Sequence, residues 1–440
     1  MALLKASLHS DKSAAKLADL SNVNWALLDQ ALISGANFVL GLLLVRYIGL
    51  SSYGEYVLTW MVVQFSMSIQ NALIVSPMFS IAPQVPYNER CKYYSVTLIL
   101  QLLLAGICAG LPMLYVVVSP ERWLPTWLNI HTASLLSLCI FVSQFQDYCR
   151  RKFCSIGQYR LACLIDSLAF GIQILFIVFV MQFFPTISSV LVIFACSMAI
   201  SIIVALKFLD YHKPDVRNVV QVSFRHWRSA KWLLGSAFLQ WVTGNYYLIT
   251  AGILLGPIAV GAIRAAQNLV GLSHILFQAF ENIAPKEASR RYSESGWAAL
   301  VSYMFLSGVI IVFGTATIAV FASYHADTLY SIFYKSTDPA AVTMMLWFVP
   351  IYILIAAQLP LRAGLRTLEQ TKYIFLSYLI AAAFSLCTAQ YFVSNHNVSG
   401  VMLGLICVES IMILVFALGL LMARRRMVAS RSMKAYSGKI

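Results

Sequence analysis

Few side chains in this 440-residue chain could do chemistry in an apolar setting, and those few recur at helical spacing. Arg264, Asn268, Gly271, His274, Gln278 and Glu281 fall within an arc of about 140° at 100° per residue, with Ile275 intruding on it. Ser236, Gln240, Thr243, Tyr247 and Thr250 share a tighter arc of about 80°. Gln30, Ser34, Asn37 and Gly41 make a third polar face, and Gln64, Ser68 and Asn71 a fourth. What such faces can do is bind and conduct. Amides, hydroxyls and one guanidinium could line a hydrated cavity between the two halves of the chain, and His274 could relay protons there. The competing use is helix-to-helix glue, which small and amide side chains supply in apolar surroundings. For the Gln30 and Gln64 faces alone that simpler use is preferred; for the Arg264 face the cavity is.

The isolated charges divide in the same way. Arg264 lies about two turns inside the outer end of its segment, where an unpaired charge is costly, so it is read as a cation facing the cavity. Arg46 lies off the Gln30–Gly41 face, close to an outer turn; it can snorkel to the surface or add to the polar binding set. Glu281, Asp166 and Asp29 sit near inner ends, within reach of cytoplasmic Arg or Lys, and Glu409 is the most isolated acid. These four are the candidates for coupling transport to an ion.

The elements that position these residues are membrane helices. Hydrophobic residues make up 60% of the chain and charged residues 11%, with a mean hydropathy of +0.78. That is too little charge to coat a soluble domain. Uncharged runs of about 20 residues give about twelve spans: 25–45, 55–76, 95–118, 131–146, 161–184, 187–206, 233–255, 258–284, 299–322, 341–361, 374–392 and 400–422. The expected fold is therefore all-α and polytopic. No cleavable signal is visible before the first span, which is expected to stay as an anchor. With the N-terminus in the cytoplasm, 27 Lys and Arg fall on the inner side and three, Arg46, Arg122 and Lys335, on the outer; Arg264 lies within a span. That asymmetry places both termini inside. It also turns the net charge of +14 into a topology signal and a match for an anionic inner leaflet, leaving nucleic acid out as a partner.

Four regions follow: a six-helix lobe over 1–206, a connector over 207–232, a second six-helix lobe over 233–422 and a basic cytoplasmic tail over 423–440. The connector carries Arg217, Val219, Val220, Val222, Phe224, Arg225, Trp227, Arg228 and Lys231, and reads as a basic amphipathic segment on the inner membrane surface or as a site for a regulatory partner. The lobes are expected to be parallel repeats. Gly49–Gly54 and Gly256–Gly261 are matching outer turns, while Arg150, Gln158 and Arg160 match Arg362, Gln370 and Lys372.

The chain has no GxxxxGK[ST], HExxH or GxSxG, and its nine cysteines show no CxxC or metal-ligand spacing. Neither an enzyme, a cofactor nor a metal is expected. A transporter driven by an ion gradient or the membrane potential is the remaining class, and one chain as a monomer is sufficient for the cavity.

Four stretches resemble one family. Asn24–Gln30 running on to Asn37-Phe38 resembles the first span of bacterial polysaccharide flippases, and Leu44–Gly49 with Tyr53–Tyr56 resembles their first outer turn. Gln146–Phe153 resembles their loop before the fifth span. Most specific is Leu255–Asn268 continuing through Gln278–Asn282, which is similar to exopolysaccharide members of the O-antigen/polysaccharide (Wzx-type) flippase family, within the multidrug/oligosaccharidyl-lipid/polysaccharide exporter superfamily. The layout agrees along the whole chain, although only about 70 residues carry specific motifs. The resemblance implies a MATE/MOP-like fold of two six-helix lobes in the inner membrane of a bacterium, with spans one, two, seven and eight lining a central cavity. It also implies a substrate, an oligosaccharide repeat unit on polyprenyl diphosphate flipped to the outer leaflet for surface or exopolysaccharide biosynthesis. Other polysaccharide-assembly membrane proteins are the implied partners. Arg264 would hold the diphosphate or an acidic sugar, and the amides and hydroxyls would contact sugar. The alternative is an ion-coupled multidrug or metabolite antiporter of the same superfamily.

Overall fold

The structure is a computed structural model that describes residues 2–120, 124, 125, 127–271, 273–334 and 339–437, with side chains described over the same residues except 2–23, 26, 27, 282, 339–342 and 427–437. Arg122 and Lys335 lie outside the described residues. Among the described residues all regular structure is helical. The main helices are α1 (Ala2–Gln70), α2 (Ser76–Ile81), α3 (Arg90–Val118), α4 (Ile130–Ser155), α5 (Tyr159–Val180), α6 (Ile187–Leu206), α7 (Val216–Leu254), α8 (Pro257–Val270), α9 (Ser273–Tyr324), α10 (Ala326–Tyr334), α11 (Pro339–Thr367) and α12 (Thr371–Ser437). A π-helical turn, Asn71–Val75, joins α1 to α2.

Seven stretches among the described residues are long and apolar enough to cross a bilayer, so the chain is a multi-pass membrane protein. Of these, Leu28–Gln84 and Thr371–Arg426 each take in two of the spans expected from sequence, nearly whole, while Ser273–Tyr324 takes in 299–322 and only the end, 273–284, of the span before it. Inside each lies one residue that leaves helical geometry: Gly49 (φ 75°), Gly296 (φ 73°) and Asn397 (φ 53°). Glycine reaches positive φ without steric cost and asparagine is the next most tolerant, so sequence marks these breaks. In α12 the arms on either side of Asn397 lie side by side, with the Tyr373 hydroxyl 3.2 Å from Sδ of Met422. In α9 the Arg291 guanidinium stands 5.0 Å from the Tyr303 ring centroid across the Gly296 break.

The chain divides into two compact units. The first comprises Met1–Ile48 and Thr59–Ala237, and the second Gly49–Leu58 and Phe238–Ile440. Within the first, α4 packs against α3, α5 and α6. Its core contains Met78, Tyr94, Tyr148, Phe153 and Ile165, all buried. Buried amides join its helices: Gln70 Nε2 donates to the Gln144 carbonyl at 2.9 Å, and Gln144 Nε2 donates to the Ser66 carbonyl at 3.1 Å. Helix glue of this kind is therefore present in this unit, at Gln70 and Gln144 rather than at Gln64 and Asn71, whose side chains are exposed.

Within the second unit, α11 packs against α8, α9 and α12. The turn starting at Gly49 lies directly on the start of α8. A Cβ on Gly54 would collide with the Pro257 carbonyl, and one on Gly261 with the Leu50 carbonyl. The two glycine-bounded turns paired in the sequence thus pack reciprocally, backbone on backbone.

Residues 216–232 of the basic connector are the start of α7. Helix α7 comprises 39 residues. Its first four turns belong to the first unit.

Candidate functional site

The site is built on α8 of the second unit. Gly256 (φ 85°) turns the chain and Pro257 opens the helix, where its missing N–H costs nothing. Two turns on, Arg264 projects among neutral groups. Its Nη1 donates to Oε1 of Gln267 at 2.6 Å and its Nη2 to Oδ1 of Asn245 at 3.3 Å. Asn245 is set by its own bond to the Trp241 carbonyl at 3.0 Å. Among the described residues no carboxylate lies within ion-pair distance of Arg264, and the sequence has no Asp or Glu from Val216 to Phe280. One turn further, Asn268 Nδ2 donates to the Tyr53 hydroxyl at 2.8 Å, and the Tyr334 hydroxyl donates to the Ala265 carbonyl at 3.0 Å. The result is a half-buried guanidinium, fixed by amides, with donors to spare and no counter-ion among the described residues.

The polar face read along span eight is crossed by a turn, with Arg264 on one side of it and His274 on the other. Helix α8 ends at Val270 and α9 begins at Ser273, across a turn in which the Gly271 N–H bonds to the Asn268 carbonyl and the His274 N–H to the Gly271 carbonyl, both three residues back. Such tight bonding departs from the 100° step on which the face was counted. His274 is exposed; its Nε2 is 3.2 Å from the Tyr352 hydroxyl and its ring 5.4 Å from that of Phe277. Glu281 pairs with Arg362 on α11. Gln278 lies between them on α9, half-buried.

The face read on α7 is real but serves packing. Thr243 bonds to the Leu239 and Tyr378 carbonyls, and the fully buried Tyr247 bonds to Thr388 at 2.8 Å with its ring against Gly404. Gln240, exposed, donates to the Tyr378 hydroxyl at 3.2 Å. Thr243 and Tyr247 therefore join α7 to α12 and leave no free group for a substrate.

The acids also sort themselves. In the first unit Arg150 pairs with three carboxylates: Asp166 at 2.7 Å, Asp29 at 2.9 Å and Asp147 at 3.6 Å. Gln146 donates to the other oxygen of Asp166 at 2.7 Å. Burial alone would weaken proton binding by Arg150, but the carboxylates of Asp166, Asp147 and Asp29 outweigh it and hold the guanidinium charged. Glu409, in contrast, is held by a neutral amide, accepting from Nε2 of the buried Gln358. One turn along α11, Arg362 contacts both Glu281 and the Tyr378 hydroxyl beside a shallow open hollow lined by Phe280, Pro285 and Leu359. Gln30 is half-buried, and Asn37 and Arg46 are exposed in the first unit.

Sequence reasoning missed Gln267, Asn245 and Arg150. Gln267 had a readable signal, since it lies three residues after Arg264 and thus on its face. Arg150 had one too, as one of the cytoplasmic cations expected within reach of Asp29 and Asp166, whereas Asn245 had none, because its partner is brought in by tertiary folding.

Comparison with known proteins agrees with this architecture. No protein-family profile and no curated protein matches the chain. Solved structures do. An inward-facing multidrug-resistance MATE family transporter of the MOP superfamily superposes with a TM-score of 0.71 at 14% identity, covering 90% of this chain and 96% of its own. An outward-facing one gives 0.63 at 15% identity, covering 94% and 96%. The fold is that of the MATE transporters. A MOP superfamily transporter from Pyrococcus furiosus, whose binding pocket of reversed polarity suggests a different function, shares the MATE fold with a TM-score of 0.60 at 14% identity, covering 94% and 96%. The MATE fold has thus been captured in both inward- and outward-facing forms.

Proposed function

We propose that this chain is a flippase that moves an anionic lipid-linked oligosaccharide, a sugar repeat unit on polyprenyl diphosphate, from the cytoplasmic to the outer leaflet by alternating access. The observation that carries this reading is Arg264, a cation held by two neutral amides with no carboxylate beside it among the described residues. A guanidinium with unused donors and no counter-ion suits a diphosphate or acidic sugar, which it can grip through a planar fork. A cationic drug would meet repulsion at the same place. Asn268 and Gln267 supply hydrogen bonds suited to sugar hydroxyls, and Gln278, Gln240, Asn37, Gln30, Gln64, Asn71 and Arg46 are further contacts for the polar head as it crosses.

The topology belongs to the same proposal: twelve crossings, both termini in the cytoplasm, a monomer in the inner membrane of a bacterium, working beside other polysaccharide-assembly membrane proteins. Its product would feed surface or exopolysaccharide synthesis. Of the acids considered for ion coupling, Asp29 and Asp166 share the one Arg150 cation and Glu281 pairs with Arg362. Glu409 is held by the Gln358 amide, and it is the preferred coupling group.

The MATE fold supports an ion-coupled multidrug or metabolite antiporter equally well, and Glu409 is the observation favouring it, since such carriers need an acid for a proton or cation. The P. furiosus structure speaks for keeping both, because its pocket polarity is reversed. Deletion of the gene, with measurement of surface polysaccharide and of lipid-linked intermediates, separates the two. Loss of polymer with accumulation of the lipid-linked unit on the inner leaflet supports the flippase; unchanged export with no accumulation rejects it.

A further inference from the structure

We propose that the exposed side of the first four turns of α7 is a binding surface for the anionic phospholipid headgroups of the membrane. This rests on the chain being a multi-pass membrane protein and not on what it transports. The helix has two unlike sides. On one, His226 and Ala230 are 3% and 0% exposed, and His226 is held 2.9 Å from the Tyr93 hydroxyl and 3.3 Å from the Leu73 carbonyl. Leu73 belongs to the π-helical turn, whose looser bonding leaves a carbonyl available to an outside donor. That side is latched to the first unit.

The other side carries Val216, Val220, Phe224 and Trp227, which recur at spacings of four, four and three residues and are 55–76% exposed. Arg217, Arg228 and Lys231 flank them and are also exposed. A stripe of large apolar groups with basic flanks is the composition that sits in a headgroup layer, apolar groups toward the acyl chains and cations against phosphates. Charge complementarity selects the anionic lipid. No Asp or Glu occurs from Val216 to Phe280, and the nearest acid in the sequence is Asp215, just before the helix. Trp232, 74% exposed, stands at the end of the basic stretch, where interfacial tryptophans sit.

The test uses the full-length protein in vesicles of phosphatidylethanolamine with and without phosphatidylglycerol, each lipid in turn carrying brominated acyl chains. Subtracting the fluorescence of Trp227→Phe isolates quenching at Trp227. Brominated phosphatidylglycerol is expected to quench it several-fold more than brominated phosphatidylethanolamine. The excess should vanish in Arg217→Gln/Arg228→Gln/Lys231→Gln and persist in Arg217→Lys/Arg228→Lys, whose charges are kept. Equal quenching by the two lipids, or selectivity that survives the triple glutamine change, overturns the proposal. So does a Trp227 that neither lipid quenches, which would assign the face to a protein.

Discussion

Arg264 donates to Gln267 Oε1 at 2.6 Å across one helical turn of α8, so the group that fixes this cation is itself uncharged. An amide orients a guanidinium without neutralising it and leaves its field for a ligand. Exchanging the amide for a carboxylate of the same shape removes that field. Gln267→Glu is therefore expected to fold normally and to lower polysaccharide export about tenfold, the effect of redirecting a charge-assisted hydrogen bond worth about 1.4 kcal/mol. Quantified surface polymer per unit of membrane protein checks this, and Gln267→Asn should cost less.

Arg150 balances buried carboxylates. Removing it by Arg150→Gln leaves Asp29 and Asp166, 5% and 2% exposed at the side chain, without their cation. Breaking a buried pair this way costs about 3–5 kcal/mol. The expected outcome is little folded protein in the membrane, with partial recovery when Asp29→Asn and Asp166→Asn are added. Fluorescence size-exclusion profiles report both.

The latch at His226 should respond to acid. Burial lowers its proton affinity below the ordinary value of 6.5. The free side chain therefore binds a proton as pH falls through 6.5 while the docked one resists, so docking is fully stable above that pH and weakens below it. Amide hydrogen exchange over 219–230, corrected for intrinsic rate, should rise between pH 7.5 and 5.5. His226→Gln should remove the pH dependence.

Gly54 and Gly261 hold two backbones closer than any side chain allows. Gly261→Ala must push the Leu50 carbonyl away, and overpacking of this kind costs about 1–3 kcal/mol. A lowered thermal unfolding midpoint in detergent is expected for Gly261→Ala and for Gly54→Ala. Gly35→Ala, where a Cβ meets open space, should leave the midpoint nearly unchanged.

Composition and periodicity went a long way in this chain. Long uncharged runs mark the helices, and Gly49, Gly296 and Asn397 mark breaks because few other residues tolerate their φ. Periodicity also showed that Gln240, Thr243 and Tyr247 share a face, yet could not say whether that face meets water or a helix; Tyr378 and Thr388, more than 130 residues on, decide it. A tight turn at Gly271 interrupts the Arg264–Glu281 face, which a uniform 100° step could not show. Asp29 was legible as an acid seeking a cation, but Arg150 lies 121 residues away, a distance only the fold closes.

The proposal that Arg264 grips an anionic substrate is tested most directly by complementing a deletion strain with Arg264→Ala and Arg264→Lys at matched protein levels, and measuring exported polymer together with lipid-linked repeat units on the inner leaflet. Arg264→Ala should lose export by on the order of 10- to 100-fold, from roughly 1.5–3 kcal/mol of charged hydrogen bonding, with the lipid-linked unit accumulating. Arg264→Lys, which keeps the charge without the fork, should retain part of it. Full export by Arg264→Ala, with no accumulation, would contradict the proposal.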